Sequence, residues 1–171
     1  QLPCRLGILL RVCWNCIMIK EDKKMFKLID SVKESSKIRV HGMDYKVLAK
    51  VFYVTESETQ KWYAKIQLEN HYVLVISPYD DYMYFGYVGE AMKYGFPSPD
   101  ALEFEGDVYK KDADDYQIVK QFVFGNCLTM EGEVLFSDYS YENKIISLGL
   151  ITRTGKRADV YAEVIDIEDV E

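Results

Sequence analysis

The side chains that could do chemistry are few and scattered. His41 and His71 are the only imidazoles in the 171-residue chain. Proton transfer or nucleophile activation needs such a ring within reach of a carboxylate or hydroxyl. His41 ends an alternating run and shares a face with Arg39, which points it to water, and His71 follows Asn70 at a turn, so spacing supplies neither with a partner. Carboxylates cluster at Asp80 and Asp81, at Asp112, Asp114 and Asp115, and at Glu131 and Glu133. These stretches read as polar turns, whereas acid and base work needs one carboxylate buried enough to hold its proton. Lys111 to Asp115 opens like a calcium loop, but Gln117 and Val123 stand where the glycine and the distal glutamate would be required. Gly86-Tyr87-Val88-Gly89 lacks the lysine or helix start of a phosphate loop. No catalytic residue, metal ligand or cofactor is assigned, and the expectation is a protein that is not an enzyme.

Cys13-Trp14-Asn15-Cys16 has CxxC spacing. Its thiols would be activated only at a helix start following a strand, and zinc would need a second pair where only Cys4 and Cys127 remain. Four cysteines so placed are no disulfide framework, which favours a reducing, cytoplasmic setting.

What remains is aromatic. Tyr79, Tyr82, Tyr84, Phe85 and Tyr87 crowd into one hairpin, His71 to Val88. Such rings stack on a ligand, grip a partner's apolar side chains, or pack across strands. A period of two puts Tyr82 and Tyr84 together and sends Phe85 and Tyr87 to the other face. Tyr79, Tyr82, Tyr84 and Trp62 are the candidate binding residues, for a protein partner or a small molecule.

Composition frames this. With 49% hydrophobic and 29% charged residues the chain is ordinary globular material, and fourteen tyrosines and eight phenylalanines against four prolines favour strands. A net charge of −7 argues against nucleic acid. Gln1 to Lys20 is apolar but broken by Arg11 and Asn15, too short and polar for a stable membrane span, and it makes a poor signal peptide. It reads as a terminal extension, non-native or disordered, ahead of a single β-rich domain from 21 to 171.

Within that domain, Met25, Phe26, Leu28, Ile29 and Val32 mark one face of a helix between Glu21 and Ser36, capped by Asp22. Alternation then takes over: Ile38 to Val40, Tyr45 to Tyr53, and a run with Trp62, Ala64, Ile66 and Leu68 inward and Tyr63, Lys65 and Gln67 outward. Tyr72 to Ile76, apolar on both sides, reads as a central strand, and Pro78 to Asp81 as its turn. Gly89 to Ala101 connects two half-units, about 37–88 and 102–167. Leu102, Phe104, Gly106 and Tyr109 repeat Ile38, Val40, Gly42 and Tyr45 at a constant offset. Further strands are expected near Tyr116 to Gly125, Gly132 to Ser137, Lys144 to Thr152 and Arg157 to Ile167. The last, with Asp159 and Glu163 on one side, suits a sheet edge or an exposed sheet face.

The opening Ile38-x-Val40-x-Gly42-x-x-Tyr45-x-Val47, Trp62 leading into a strand that ends at Leu68, and Gly132-Glu133 before a strand with Asp138-Tyr139 carry a resemblance. On these residues the chain from about 37 to 167 resembles the bacterial domain of unknown function 4178 family. It departs from that family's Trp-x-Glu-Tyr segment, having Trp62-Tyr63-Ala64-Lys65. The resemblance implies a small soluble β-rich domain without an assigned reaction, of a kind that accompanies membrane-stress or polyamine-related genes. It brings no functional residues.

The expected fold is mainly β: an antiparallel sandwich or partly open barrel of two similar meanders with one N-terminal helix. The expected function is a non-enzymatic binding or adaptor module using an aromatic surface or a sheet edge, through which it could also form a homo-oligomer. The alternatives are a small-ligand barrel and, third, an enzyme.

Overall fold

A strand with apolar or aromatic residues on both sides needs cover on both sides, and a sheet curled into a barrel with covers on its outer surface supplies that. The computed structural model describes residues 23–125 and 133–171. The CxxC pair, Cys4, Cys127, Gly132 and the expected 1–20 extension lie outside these residues.

The strands are β1 (Lys37–Val40), β2 (Met43–Thr55), β3 (Tyr63–Leu68), β4 (Tyr72–Ser77), β5 (Tyr82–Val88), β6 (Ala101–Phe104), β7 (Asp107–Phe124), β8 (Val134–Tyr141), β9 (Lys144–Ile151) and β10 (Val160–Val164). They hydrogen-bond in the order β1-β2-β3-β4-β5-β10-β9-β8-β7-β6, and β2 also pairs with β7. That extra pairing closes eight antiparallel strands into a ring. β1 and β6 stay outside it, each on the first residues of β2 or β7. The expected antiparallel barrel of two meanders is what the chain forms, with the ring closed.

The repeat holds to the residue. Ile38 pairs with Tyr45 and Val40 with Met43, while Leu102 pairs with Tyr109 and Phe104 with Asp107. Both hairpins turn on two consecutive left-handed residues, His41 (φ 48°) and Gly42 (φ 76°) in one, Glu105 (φ 52°) and Gly106 (φ 88°) in the other. This is the twist-matched two-residue turn that glycine makes accessible.

The two meanders meet along two seams, β2 with β7 and β5 with β10. Each seam has a glycine against an alanine. A Cβ on Gly125 would strike the Leu48 carbonyl and lie 2.8 Å from Ala49 Cβ, and one on Gly86 would strike the Tyr161 carbonyl and lie 2.6 Å from Ala162 Cβ.

Cross-strand partners share a face, so the inside of the ring can be followed by register. Tyr53 pairs with Tyr63, Lys65 with Val75, Val75 with Tyr84, Val88 with Val160, Val160 with Ser147, and Ser147 with Asp138. Asp138 on β8 feels the charge of Lys65 on β3, which is not its neighbour in the ring, as well as that of Asp112 on adjacent β7. Tyr63, Lys65 and Gln67 therefore face the interior. Ala64, Ile66 and Leu68 face the outside, where Met25, Ile29 and Val32 of the helix bury them. Alternation was read correctly in β3, and Ala64, Ile66 and Leu68 are core as expected; the correction falls on Tyr63, Lys65 and Gln67, which face the lumen and not solvent, because both faces of the sheet are covered.

Residues 23–31 form the helix, α1. The Lys50 ammonium, buried in the barrel wall, donates to the Ile29 carbonyl (2.9 Å) and the Val32 carbonyl (2.8 Å), closing the C-terminal turn. A cation there also complements the helix dipole. Over the second half the cover is the connection after β5, whose Met92, Tyr94 and Phe96 pack on Leu102, Tyr109, Tyr139, Ile146 and Leu148.

Two expectations are corrected. β10 is no edge: it lies between β5 and β9, and Asp159, placed on a charged outer face, is fully buried beside Arg157. Asp112 to Asp115, read as a solvated turn, lie within β7 at a register shift between Lys111 and Ala113. Strand pairing on β8 overrides the local turn preference of aspartate. No helix among the described residues is long and apolar enough to cross a membrane.

Candidate functional site

The outer face of the β5–β10 seam is where the two halves leave a concavity. Tyr87 pairs with Tyr161 and Phe85 with Glu163 across the seam. Tyr72 on β4 flanks one side and Ile146 on β9 the other. The two equivalent hairpins rise as walls, one carrying His41, Met43 and Tyr45, the other Phe104, Glu105 and Tyr109. Together they enclose a cleft of about 410 Å³. That is the size of a small-molecule or side-chain-cluster site.

The rings are held in fixed geometry. Tyr72 and Phe85 stack at 5.2 Å with a 7° interplanar angle, and Tyr87 and Tyr161 at 5.6 Å and 21°. Tyr45 lies 5.3 Å from Phe85, and Phe104 lies 5.0 Å from Tyr161. Each half thus contributes a hairpin aromatic leaning on a seam ring. Tyr161 donates its hydroxyl hydrogen to the Glu90 carbonyl at 2.8 Å, anchoring the floor.

Charges sit at the rim. His41 Nδ1 is 3.5 Å from Glu163 and its Nε2 3.7 Å from Asp169, so the histidine expected to face water without a partner has two carboxylates beside it. Lys144 is paired with Asp107 at 2.8 Å, and that bond holds its ammonium above the usual range. Burial raises the Tyr45 and Tyr109 hydroxyls and pushes Tyr161 up to about 12, with Asp159 adding to the last. At neutral pH all three are protonated phenols. Tyr45 and Tyr109 can donate hydrogen bonds, Tyr161 already donates to Glu90, and all three can stack.

A second group lies inside the barrel. Burial pushes the Asp138 carboxyl up to about 6, against the Ser147 hydroxyl and the Lys65 ammonium, which both favour the anion. Tyr63 and Tyr84 are raised well above an ordinary phenol by burial and by Asp138, and Tyr82 to about 12. The Lys65 ammonium lies 5.4 Å over the Tyr53 ring. Tyr63 Oη, Asp138 Oδ1 and Gln117 Oε1 are buried without a hydrogen-bond partner among the described residues.

The sequence candidates divide between these environments. Tyr82 and Tyr84, 6.0 Å apart, face the interior together, as alternation required. Tyr79 and Trp62 sit on the outer side at the α1 end, edge-on to each other at 5.7 Å and both edge-on to Phe26. None of the four lines the cleft. The cleft rings missed by sequence reasoning, among them Tyr72, Phe104 and Tyr161, come from strands far apart in the chain. One signal did touch the site: the internal repeat that pairs Tyr45 with Tyr109.

His71 ends a short 3-10 turn (Glu69–His71) and is exposed. No family profile, curated protein or solved structure matches the chain.

Proposed function

We propose that the chain is a non-enzymatic binding module whose ligand site is the aromatic cleft over the β5–β10 seam, taking a flat apolar ring presented by a small molecule or a partner's side chain. One observation carries this: seven aromatic side chains from both halves converge on one concavity of about 410 Å³. Their stacking among themselves preorganises the walls, so an incoming ring gains contact without paying to order them. The raised phenols of Tyr45 and Tyr109 supply donors, and Tyr161, whose hydroxyl hydrogen is held by Glu90, supplies a stacking face, which supports binding over turnover. The resemblance to the domain of unknown function 4178 family belongs to the same proposal. Its described residues build the β1–β2 hairpin, β3 and, through Asp138 and Tyr139, β8, and they add no ligand identity.

The test is a fragment screen of aromatic and heteroaromatic rings by protein-observed NMR. Hits should shift the Tyr87 and Tyr161 ring resonances and weaken at least tenfold in Tyr87→Ala, while Tyr79→Ala, equally exposed but outside the cleft, binds as the parent does. A screen in which no fragment shifts cleft resonances, or in which hits survive Tyr87→Ala unchanged, would reject the proposal.

A further inference from the structure

The chain displays on one of its own edges what the equivalent edge is built to receive. Along the outer side of β1, the last residues of the chain run as an added strand. The Arg39 amide donates to the Glu171 carbonyl (2.8 Å), the Glu171 amide to the Arg39 carbonyl (2.9 Å), and the His41 amide to the Asp169 carbonyl (3.0 Å). Val40 and Val170 form an antiparallel bridge. The side chains match in kind: Arg39 on the edge lies 3.7 Å from the Glu171 carboxylate of the tail, and His41 Nε2 lies 3.7 Å from Asp169.

The β6–β7 hairpin repeats β1–β2 in register, so Glu103 takes the place of Arg39 and Glu105 that of His41. Among the described residues β6 ends the sheet order. Where the Arg39 amide has a backbone carbonyl, the Glu103 amide has only the Tyr94 side-chain hydroxyl, at 3.2 Å. That hydroxyl takes up a single backbone group, whereas the strand paired on β1 holds both the amide and the carbonyl of Arg39. Asp100, Ala101, Glu103 and Glu105 are all exposed. The edge is therefore the electrostatic inverse of β1.

We infer that the outer edge of β6 is a docking strand for an extended segment of a partner protein carrying lysine or arginine at alternate positions. Backbone hydrogen bonds to a sheet edge give such a segment affinity whatever its sequence, and side chains directed at Glu103 and Glu105 select the basic ones. A second copy is the wrong occupant, because the tail that this chain lays on β1 is acidic and would set like charges together on β6. Charged side chains on an edge also serve simply to block pairing, and the experiment separates the two roles.

The probes are two acetylated, amidated hexapeptides, one alternating lysine with valine and one alternating glutamate with valine, titrated into the full-length ¹⁵N-labelled chain. The lysine peptide should give saturable shifts at the Ala101 to Glu105 amides, weakening as salt rises, and the glutamate peptide none. In Glu103→Arg combined with Glu105→Arg, which recreates the charge of the working β1 edge, the preference should invert by at least tenfold. The inference is overturned if neither peptide shifts the β6 amides, if both bind alike, if the double variant keeps the parent's preference, or if the free chain self-associates through the β6 amides on dilution analysis. Ala101 and Glu103 do not line the aromatic cleft, whereas Phe104 and Glu105 do; shifts that include the Ala101 to Glu103 amides report the edge and shifts confined to Phe104 and Glu105 report the cleft, so the two failures are told apart.

Discussion

Gly86 and Ala162 oppose each other across the β5–β10 seam with no space for a β-carbon on the glycine, and Gly125 and Ala49 do the same across the β2–β7 seam. The two contacts sit where the meanders must approach most closely for the ring to close. The first also lies beneath the aromatic cleft, so the spacing of the cleft floor depends on it.

Gly86→Ala should therefore destabilise the fold severely, by about 3 kcal/mol or more, since the obstacle is backbone that repacking does not relieve. Gly125→Ala should behave alike, with the added strain of a side chain at φ 79°. Gly95→Ala, where a Cβ meets nothing within 4 Å, is the control and should stay within about 0.5 kcal/mol of the parent. Urea unfolding of the three variants measures this. A mild Gly86→Ala would mean the seam can widen.

Lys50 joins the barrel wall to α1 through the Ile29 and Val32 carbonyls, and burial lowers its pKa. Lys50→Met keeps the length of the side chain and removes both donors. The expected loss is about 2 kcal/mol, with faster amide exchange concentrated in the last turn of α1. Exchange mass spectrometry would show it. Uniform acceleration across the barrel would instead make Lys50 part of the global core.

How much of this the residues announced depends on the distance over which each feature acts. α1, the β4–β5 hairpin and the Ile38/Leu102 repeat are set by nearby residues, and periodicity found them. The lumen was not legible, because Tyr63, Lys65 and Gln67 look like a solvent face until β7 and β8 close over them. The cleft was still less so, since Tyr45, Tyr72, Phe104 and Tyr161 are brought together only by the seam between the halves. Aromatic density drew attention to the β4–β5 hairpin, whose two faces part: Phe85 and Tyr87 line the cleft, whereas Tyr82 and Tyr84 face the barrel interior.

Asp138 gives the barrel a pH dependence. Its carboxyl sits near pH 6 in the folded chain against an ordinary 3.8, so the native state holds its proton more tightly than the unfolded state. Between about pH 4 and 6 the native state binds more protons, and stability must fall as pH rises through that window. The deficit, complete above pH 6, is about 3 kcal/mol. Asp138→Asn removes the ionisation. It should match the parent near pH 4 and exceed it at pH 8, provided that the amide keeps the Ser147 contact. Thermal melts of both proteins across pH 4 to 8 test the sign, and parallel curves would show that Asp138 does not titrate in this window.

Asp159 is the joint between the barrel and the cover of its second half. Fully buried, it accepts from the Met92 amide (2.8 Å) on the connection, from the Gly149 amide (3.1 Å) on β9, and from Arg157 through Nε (3.0 Å) and a terminal guanidinium nitrogen (2.8 Å). Arg157 in turn donates to the Tyr94 carbonyl at 2.7 Å and lies 5.5 Å over the Phe96 ring. Asp159→Ala strands a guanidinium and two amides together, and the expected cost is about 4 kcal/mol. Arg157→Ala leaves the carboxylate two amide donors and should cost less. The two changes share partners, so their sum should exceed the double variant by about 2 kcal/mol. Because Tyr161 is anchored to Glu90 in the same connection, loosening it should also weaken cleft ligands in Arg157→Ala without touching a cleft residue. A double-mutant cycle by urea unfolding, with fragment titration of the Arg157 variant, tests both. Simple additivity together with parent-like binding would show that the connection is held by its apolar contacts alone.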